Sequence, residues 1–429
     1  MSKILGVDTS TIDNISGLGT GSGSEGIPEF VSNTDTGIVV CPQGSAIGKP
    51  NSTAALSDYE NSMHMFQISD ITGVVFMLYN QVHHGALKSN GDFFVGGFGT
   101  STGMGLSSSD ATSVINDGGM KLSLSNVAKV SATTNGFIAI KTDGTLWFSG
   151  YIGSYLNSTG VGGGSVSSNF GWAQIGSDTD WHDISASYSY PYFVNAIKGA
   201  AGSRYLYASG TGANYATGQG STSTLTSFTR VKSSSGTNLS ESMSLLSLIG
   251  YSNSLAISDS GKLFAWGENG YGTGGQGNTT DIQYATQAGS ATNWNGCWVT
   301  RFGAFAKNTS GEMYMTTGRS SWRIEPNTNK VFTKIDNDTD YEDLRVYSNS
   351  QQSGYYTAFA KKGGSWFVST SGVPTNGWAG NGAQTSSTTG WVALNTVLQK
   401  NDITGDIDDI LPYFSTSTGG NPCVMFALS

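Results

Sequence analysis

Charged side chains are scarce in this chain, basic ones most of all, and long apolar runs are missing. Charged residues make up 12% of the 429 residues, and 30 acidic side chains outnumber 21 lysines and arginines, so the net charge is −9. Because nucleic acids and anionic membranes are bound through clustered lysine and arginine, we expect neither as a partner. No apolar stretch approaches the roughly 20 residues of a transmembrane helix, so membrane insertion is not expected either.

Cysteine is also scarce, and the first residues do not form a secretion signal. Cys41, Cys297 and Cys423 are odd in number and far apart, which favours buried free thiols, while a pair between Cys41 and Cys423 stays open. The first 16 residues contain one lysine and no uninterrupted apolar segment, so we expect no export by a signal peptide.

Glycine, by contrast, is abundant, and part of it is periodic. Seven of the 60 glycines recur 50 to 59 residues apart: Gly37, Gly91, Gly144, Gly202, Gly261, Gly311 and Gly364. Most lie in a repeated phrase of apolar strand, polar turn, aromatic strand and closing glycine, such as IAIKTDGTLWFSG at 138–150 and LAISDSGKLFAWG at 255–267. Repetition at this spacing predicts supersecondary units that stack on one another.

Each phrase predicts a β-hairpin, with glycine at a two-residue turn between alternating apolar strands. Four-stranded units repeated around an axis form a propeller, so we predict an all-β, seven-bladed β-propeller over residues 29–429. The segments NTDTGIVVCPQG at 33–44 and CVMFALS at 423–429 each match half of a phrase. We expect them to pair in the seventh blade and close the ring; two coincidental apolar runs are the alternative.

Residues 1–28 precede the repeats and are predicted to be an extended docking arm. A flexible Gly/Ser run, GTGSGSEG at 19–26, tethers aliphatic side chains that would bury in a partner: Ile4, Leu5, Val7, Ile12 and Ile15. A disordered tail is the alternative, but so many aliphatic residues are unusual in one.

A second phrase recurs just ahead of the hairpins, as SDTDWHDISAS at 177–187, NDTDYEDLRVY at 337–347 and GDIDDILPYF at 405–414. We interpret it as an outer strand or linker that enters each new blade. Its Asp336, Asp338 and Asp340 resemble the start of a calcium loop, but Tyr341 and Tyr347 stand where an EF-hand has Gly and Glu. The pattern therefore favours turn formation, and no metal site is predicted.

The hairpin phrases resemble the repeats of the regulator of chromosome condensation family. The best match is LAISDSGKLFAWGENGYGTGGQG at 255–277, with Trp266, Gly267, Asn269 and Gly272 on the positions of the family consensus. The resemblance extends over about residues 30–429 and implies a seven-bladed propeller with a split closing blade. It does not imply the nucleotide-exchange activity of the founding member, because the fold serves many functions.

No catalytic constellation emerges, so no enzyme activity and no cofactor are predicted. The phrase around Asp143 and Gly144 resembles the Asp box of sialidases, but it lacks a residue between the two, and no arginine triad accompanies it. The adjacent His83 and His84 would point to opposite faces of a strand, which is poor geometry for a shared metal.

Five aromatic residues follow the closing glycine of a blade by four to six positions, and they are the candidate binding residues. They are Tyr155, Tyr215, Tyr271, Trp322 and Trp378. Exposed on one rim, their rings would stack on sugars or anchor a protein partner. The alternative is that they are fold residues, since the family consensus often has an aromatic there.

The favoured function is a non-enzymatic structural protein of a bacteriophage virion. The segment KILGVDTSTIDNISGLGTG at 3–21 is similar to short stretches in tail and fibre proteins of tailed phages, and a virion protein assembled in the host cytoplasm needs no signal peptide. Its partners would be other virion proteins, through the arm, and a host-surface glycan or protein. A cellular interaction scaffold is the alternative, and a glycan-active enzyme is the third.

Overall fold

A computed structural model shows a chain built almost entirely of β-strands. The described residues are 66–69, 71–80, 83–97, 103–117, 119–133, 136–150, 171–187, 192–247, 251–317, 329–348, 356–371, 390–394, 407–414 and 422–428, with three short strands nearer the amino terminus. Those strands are β1 (Lys3–Ile4), β2 (Val7–Asp8) and β3 (Gly37–Cys41). No helix within these ranges is long and apolar enough to cross a membrane.

Six four-stranded antiparallel sheets are each made of four consecutive strands, and we number them as blades 1 to 6. Blade 1 contains β5 (Val74–Tyr79), β6 (His83–Lys88), β7 (Phe93–Gly97) and β8 (Met120–Leu124); blade 2 contains β9 (Val127–Thr133), β10 (Gly136–Lys141), β11 (Leu146–Gly150) and β12 (Trp172–Ile175). Blade 3 contains β13 (Trp181–Ala186), β14 (Phe193–Lys198), β15 (Tyr205–Gly210) and β16 (Leu225–Arg230), followed by a small hairpin of β17 (Lys232–Ser234) and β18 (Thr237–Asn238).

The remaining three blades follow the same plan. Blade 4 contains β19 (Met243–Leu246), β20 (Asn253–Ser258), β21 (Leu263–Gly267) and β22 (Ile282–Gln287); blade 5 contains β23 (Trp294–Val299), β24 (Gly303–Asn308), β25 (Met313–Thr317) and β26 (Thr333–Lys334). Blade 6 contains β27 (Tyr341–Ser348), β28 (Tyr356–Lys362), β29 (Ser365–Ser371) and β30 (Val392–Ala393). The predicted all-β propeller fold is confirmed.

A further four-stranded sheet, here called the composite sheet, combines strands from distant parts of the chain. Its order is β31 (Ile407–Phe414), β32 (Pro422–Leu428), β3 and β4 (Phe66–Ser69), and the β3–β32 register runs from Gly37 opposite Leu428 to Cys41 opposite Val424. Six blades are thus shown, not the seven predicted, and Gly37 is a strand residue rather than a turn residue.

The predicted hairpins are present, but their turns are longer than two residues. In blade 2, the Gly144 amide donates to the Lys141 carbonyl at 2.9 Å, and the Lys141 amide donates to the Thr145 carbonyl at 3.0 Å. Gly144 has φ +77°, so the loop is a three-residue turn whose last residue is left-handed. The same pair of bonds recurs around Gly91, Gly261 and Gly311.

Close contact with the next blade gives the turn glycines a second role. A Cβ on Gly144 would lie 2.0 Å from the Thr179 carbonyl oxygen. The Gly144 carbonyl in turn accepts the Trp181 amide, which begins blade 3, at 3.2 Å. Glycine at this position is therefore required both by the turn and by the contact between blades.

The second recurring phrase forms the innermost strand of its sheet, which corrects the interpretation as an outer strand or linker. The phrases at 177–187, 337–347 and 405–414 supply β13, β27 and β31, and the first strands of neighbouring sheets lie side by side. β31 lies next to both β27 and β5. Each first strand also carries a one-residue bulge near its start.

Side chains of one innermost strand satisfy backbone amides of the next, because those edges have no further strand to pair with. The Ser131 hydroxyl accepts the Ala186 amide, and the Asp183 carboxylate accepts the Leu246 amide, both at 2.9 Å. Asp409 of β31 accepts the Met77 amide of β5 at 2.6 Å. The composite sheet is therefore linked to blade 1 as blade 3 is linked to blade 4.

One α-helix, α1 (Ser108–Asp117), lies between β7 and β8 and was not predicted from the sequence. The Ser107 hydroxyl accepts the Asp110 amide at 3.2 Å, which caps the helix at its start. Ala111 and Val114 on its buried face join Met104 and Val95 in an apolar cluster between blades 1 and 2.

Candidate functional site

The loops that join the third strand of a blade to the fourth carry the aromatic residues predicted to bind a partner. Tyr215 lies in a 3-10 turn, Ala213–Tyr215, in the loop of blade 3, and Tyr271 lies in the corresponding loop of blade 4. Tyr155, Trp322 and Trp378 fall outside the described residues. Two of the five predicted positions can therefore be placed, and both are half-buried.

Tyr271 packs onto the next blade. Its ring meets Phe302 of blade 5 edge-on, with centroids 4.7 Å apart, and the Gly272 carbonyl beside it accepts the Thr316 hydroxyl at 2.8 Å. Beside Tyr215, the Ala216 carbonyl similarly accepts the indole N–H of Trp266 in blade 4 at 3.0 Å. These loops therefore connect neighbouring blades through side-chain contacts. This supports the alternative stated for the loop aromatics, that they are fold residues.

An arginine is stacked on aromatic rings where blades 4 and 5 meet. The Arg301 guanidinium carbon lies 4.2 Å from the centroid of the Tyr251 ring and 5.5 Å from that of Phe302. The Arg301 side chain is 26% exposed, and its Nε lies 3.9 Å from Glu268 Oε1. We call this set, with Tyr271, the Arg301 cluster: Tyr251, Glu268, Tyr271, Arg301 and Phe302.

Glu268 is the acidic member of the Arg301 cluster, and the burial of its carboxylate charge is only partly compensated by its neighbours. Burial raises the pKa of its carboxyl, the positive charge of Arg301 opposes that rise, and Asp281 adds to it. Its Oε2 atom is buried and has no hydrogen-bond partner. A buried acceptor without a donor is costly and marks a position where a water or a ligand group bonds.

The backbone next to the Arg301 cluster adopts an unusual conformation. Asn214 and Tyr215 have φ values of +53° and +60°, a left-handed conformation that residues with side chains rarely adopt in succession. The Asn214 amide nitrogen donates to Ser252 Oγ at 3.2 Å, and the Ser252 carbonyl accepts the Glu268 amide at 3.1 Å. Strain of this kind is concentrated at binding sites, where surrounding contacts hold it in place.

The acidic motifs singled out in the sequence serve as turn and ion-pair residues. Asp336 accepts the Tyr341 hydroxyl at 2.5 Å, and Asp338 pairs with Lys362. Asp143 accepts the amide and the hydroxyl of Thr145, at 3.0 and 2.5 Å, which organises the hairpin turn. In the described part of the chain, no group of three potential metal ligands is found.

His83 and His84 are both buried in β6 of blade 1, and the centroid of the His83 ring lies 6.3 Å from that of Phe137 in blade 2. Burial, and then the neighbouring His83, lower the pKa of His84 from 6.5 to about 3. A Cβ on Gly96 would lie 2.4 Å from the His84 Nε2 atom, so the imidazole is enclosed on that side. His84 is therefore a neutral core residue.

Sequence reasoning did not single out Tyr251, Glu268 or Arg301 as a site. Arg301 and Phe302 belong to the short loop between β23 and β24, Tyr251 to the equivalent region of blade 4, and Glu268 follows the Trp-Gly pair that ends β21. The one feature of the sequence that could have pointed to this site is an acidic residue, Glu268, directly after the closing glycine of a blade. Its contact with Arg301 is not visible in the sequence, because it forms only when blades 4 and 5 pack together.

Comparison with known proteins agrees with the repeat pattern and with the fold. Residues 249–273 match the model of the regulator of chromosome condensation (RCC1) repeat, a segment that includes Tyr251, Glu268 and Tyr271. No curated protein sequence matches the chain. The chain therefore has the β-propeller fold and contains one segment similar to the RCC1 repeat.

Solved structures of low sequence identity share this fold over most of the chain. Prp20p from Saccharomyces cerevisiae is 11% identical, with a TM-score of 0.61 and coverage of 93% of both chains. Human WBSCR16 is 13% identical, with a TM-score of 0.62 and coverage of 92% of this chain and 99% of the other. Yeast RCC1 (Prp20) bound to Kap60 is 12% identical, with a TM-score of 0.62 and coverage of 93% and 90%.

Proposed function

We propose that this protein is a non-enzymatic interaction scaffold that binds a protein partner through the Arg301 cluster. The observation that carries the proposal is the partly exposed Arg301 side chain, whose guanidinium is stacked on Tyr251 and Phe302. Arginine and tyrosine in a partly desolvated setting are the residues that most often dominate binding energy at protein interfaces. Neighbours in fold also bind proteins: Prp20p is described with Gsp1p and histones, and yeast RCC1 with Kap60.

The rigid surroundings of the cluster support this proposal. Tyr251 and Arg301 stand on short loops, and the longer loop with Tyr271 is fastened to blade 5 through Phe302 and Thr316. A side chain held in place before binding loses little conformational entropy when the partner arrives. Arg301 is therefore presented to the partner in a fixed orientation.

We further propose that the composite sheet acts as the seventh blade and closes the ring. The contacts of β31 with β27 and β5, and the Asp409–Met77 hydrogen bond, support this arrangement. A closed ring has no free inner sheet edge, so partners are bound by loops and rims rather than by strand addition.

The docking arm and the role in a bacteriophage virion rest on the sequence alone and stay predictions. In the arm, β1 pairs with β2, with Ile4 opposite Val7, while Leu5, Ile12 and Ile15 lie outside the described residues. If the arm attaches the protein to a particle, deletion of residues 1–28 leaves a folded propeller that no longer incorporates. Recovery of the truncated protein in purified particles at normal occupancy would exclude the arm as the anchor.

The scaffold proposal is tested by site-directed cross-linking from Gly270. Gly270 is exposed beside the cluster, and a Cβ added there would meet nothing within 4 Å, so Gly270→Cys carries a cross-linker without disturbing the fold. We expect it to capture a discrete partner from an extract of the source cells. Ala201→Cys, on an exposed hairpin turn at the opposite end of the propeller, is the matched control and should not capture it.

Variants of Arg301 then measure its contribution. Arg301→Ala should weaken binding of the captured partner by about 2 kcal/mol, which is roughly thirtyfold in the dissociation constant. Arg301→Lys should bind only slightly better than Arg301→Ala, because lysine keeps the charge but lacks the planar surface that stacks on the rings. Equal affinity of the wild-type protein and Arg301→Ala, with unchanged stability, would contradict the proposed site.

A further inference from the structure

A basic patch lies at the other end of the propeller, where the first strands of blades 2 and 3 begin. The β-bulges of β9 and β13 fall at Ala128 and His182. Bulges turn side chains out of the regular alternation of a strand. As a result Ala128 and Lys129 are exposed and His182 is half-exposed, although both strands are otherwise largely buried. We call Lys129, His182 and Arg204 the Lys129 patch.

Lys129 has no carboxylate in close contact. Its side chain is 51% exposed, and the Asp183 Oδ1 atom lies 3.9 Å from its Nζ atom. Asp183 itself is buried and already accepts two backbone amides, from Ile184 and Leu246, each at 2.9 Å. The positive charge of Lys129 is therefore directed to solvent.

Arg204 brings a second positive charge to the same place. It follows the turn between β14 and β15, where its amide donates to Ser242 Oγ at 3.2 Å and its carbonyl accepts the Met243 amide at 2.9 Å. Its Nε atom is buried without a hydrogen-bond partner. Met243 begins β19, whose Leu246 amide is bound by Asp183, the residue next to His182, so Arg204 lies at the same end of these strands. Burial, and then the charge of Arg204, lower the pKa of His182.

Several other lysines on the same side are neutralised by direct ion pairs. Lys198 contacts Asp178 at 2.7 Å, Lys262 contacts Glu241 at 2.5 Å, and Lys334 contacts Glu312 at 2.8 Å. In a chain of net charge −9, the Lys129 patch differs from these because Lys129 and Arg204 lack such a partner among the described residues.

We propose that the Lys129 patch binds an acidic segment of a partner protein, a short run of aspartate or glutamate. Carboxylates of such a segment would form charge-assisted hydrogen bonds with the Lys129 ammonium and the Arg204 guanidinium. The patch is small, and Trp181 beside it is buried, so it offers neither the extended basic track nor the stacking rings that nucleic acids require. This surface is independent of the Arg301 cluster.

The test uses the full-length protein and a fluorescein-labelled hexaglutamate peptide, with binding followed by fluorescence anisotropy at low salt. We expect saturable binding that Lys129→Glu and Arg204→Glu each weaken about tenfold. Lys232→Glu, a charge reversal on the separate β17–β18 hairpin, is the control and should leave the affinity unchanged. Lys129→Gln removes the charge without placing a second carboxylate near Asp183, so it should weaken peptide binding and retain the wild-type unfolding midpoint.

Two further probes separate the possible outcomes. An uncharged hexaglutamine peptide should not bind. Absence of hexaglutamate binding, or binding that Lys129→Glu does not weaken, would overturn the proposal. Tighter binding of a single-stranded oligothymidylate, also lost in Lys129→Glu, would overturn it as well and assign the patch to nucleic acid.

Discussion

Replacement of Asp409 by alanine should destabilise the whole propeller, because this one carboxylate links three sheets. Asp409 belongs to the composite sheet and is 1% exposed. Its Oδ1 atom lies 2.9 Å from Arg345 Nη2 in blade 6, and its Oδ2 atom accepts the Met77 amide of blade 1 at 2.6 Å. The substitution removes both contacts at once.

The size of the effect follows from what stays buried after the substitution. Arg345 would keep its ion pair with Asp343, at 2.7 Å, but lose its buried partner, so the cost should lie near the lower end of the about 3–5 kcal/mol seen when a buried charge is left unpaired. The Met77 amide would lose its acceptor, for which about 1–3 kcal/mol is typical. Because contacts that share one side chain are not additive, we expect a total loss of about 4 kcal/mol. Asp409→Asn keeps a side-chain oxygen that can accept the Met77 amide, so it should lower the free energy of unfolding by about half as much as Asp409→Ala.

The measurement is equilibrium unfolding in urea, followed by tryptophan fluorescence. The matched control is Asp178→Ala, which removes a surface ion pair with Lys198 at 2.7 Å from a side chain that is 52% exposed, and it should cost less than about 1 kcal/mol. The double variant Asp409→Leu with Arg345→Met should recover much of the loss, because no buried charge is left unpaired. A loss in Asp409→Ala no greater than in Asp178→Ala would refute this reasoning.

Three other predictions concern the core, the turns and the composite sheet. The pKa of His84 is lowered from 6.5 to about 3, so between these pH values the unfolded chain binds a proton that the folded protein does not. The free energy of unfolding should therefore fall by up to about 1.4 kcal/mol per pH unit as the pH drops from 6.5 towards 3. In urea titrations at several pH values, His84→Gln should reduce this dependence on pH. Gly144→Ala should lower the free energy of unfolding by about 2–4 kcal/mol, because the new Cβ would lie 2.0 Å from a carbonyl oxygen. Gly202→Ala is the control: Gly202 has a similar φ but no atom within 4 Å of the new Cβ, so the loss should be only about 1 kcal/mol. Equal losses in the two variants would show that φ alone matters. Deletion of residues 422–429 removes β32 from the centre of the composite sheet and should abolish cooperative unfolding, which circular dichroism during heating would reveal; an unchanged melting transition would contradict it.

The hairpins and their periodicity were predictable because the information is local. An Asp-Gly or Asn-Gly between apolar strands specifies a turn within a few residues, and Gly144 and Gly91 adopt the left-handed conformation that such a turn needs. The exact turn was less predictable, since two- and three-residue loops use the same residues. Helix α1 was missed although Ser107 and Asp110 form a capping signal, because its ten residues are mostly polar or small and resemble the surrounding linkers, with only Val114 and Ile115 as larger apolar residues.

The all-β class, the repeating hairpins and the need for glycine at their turns can be read from the amino-acid sequence, since each depends on residues that are neighbours along the chain. That the phrases at 177–187, 337–347 and 405–414 form innermost strands became clear from the packed structure, because it depends on which sheet packs beside them. It likewise decided that Tyr251, Glu268 and Arg301 meet: they come from separate loops, and no spacing along the chain encodes a contact that forms only when blades 4 and 5 pack together.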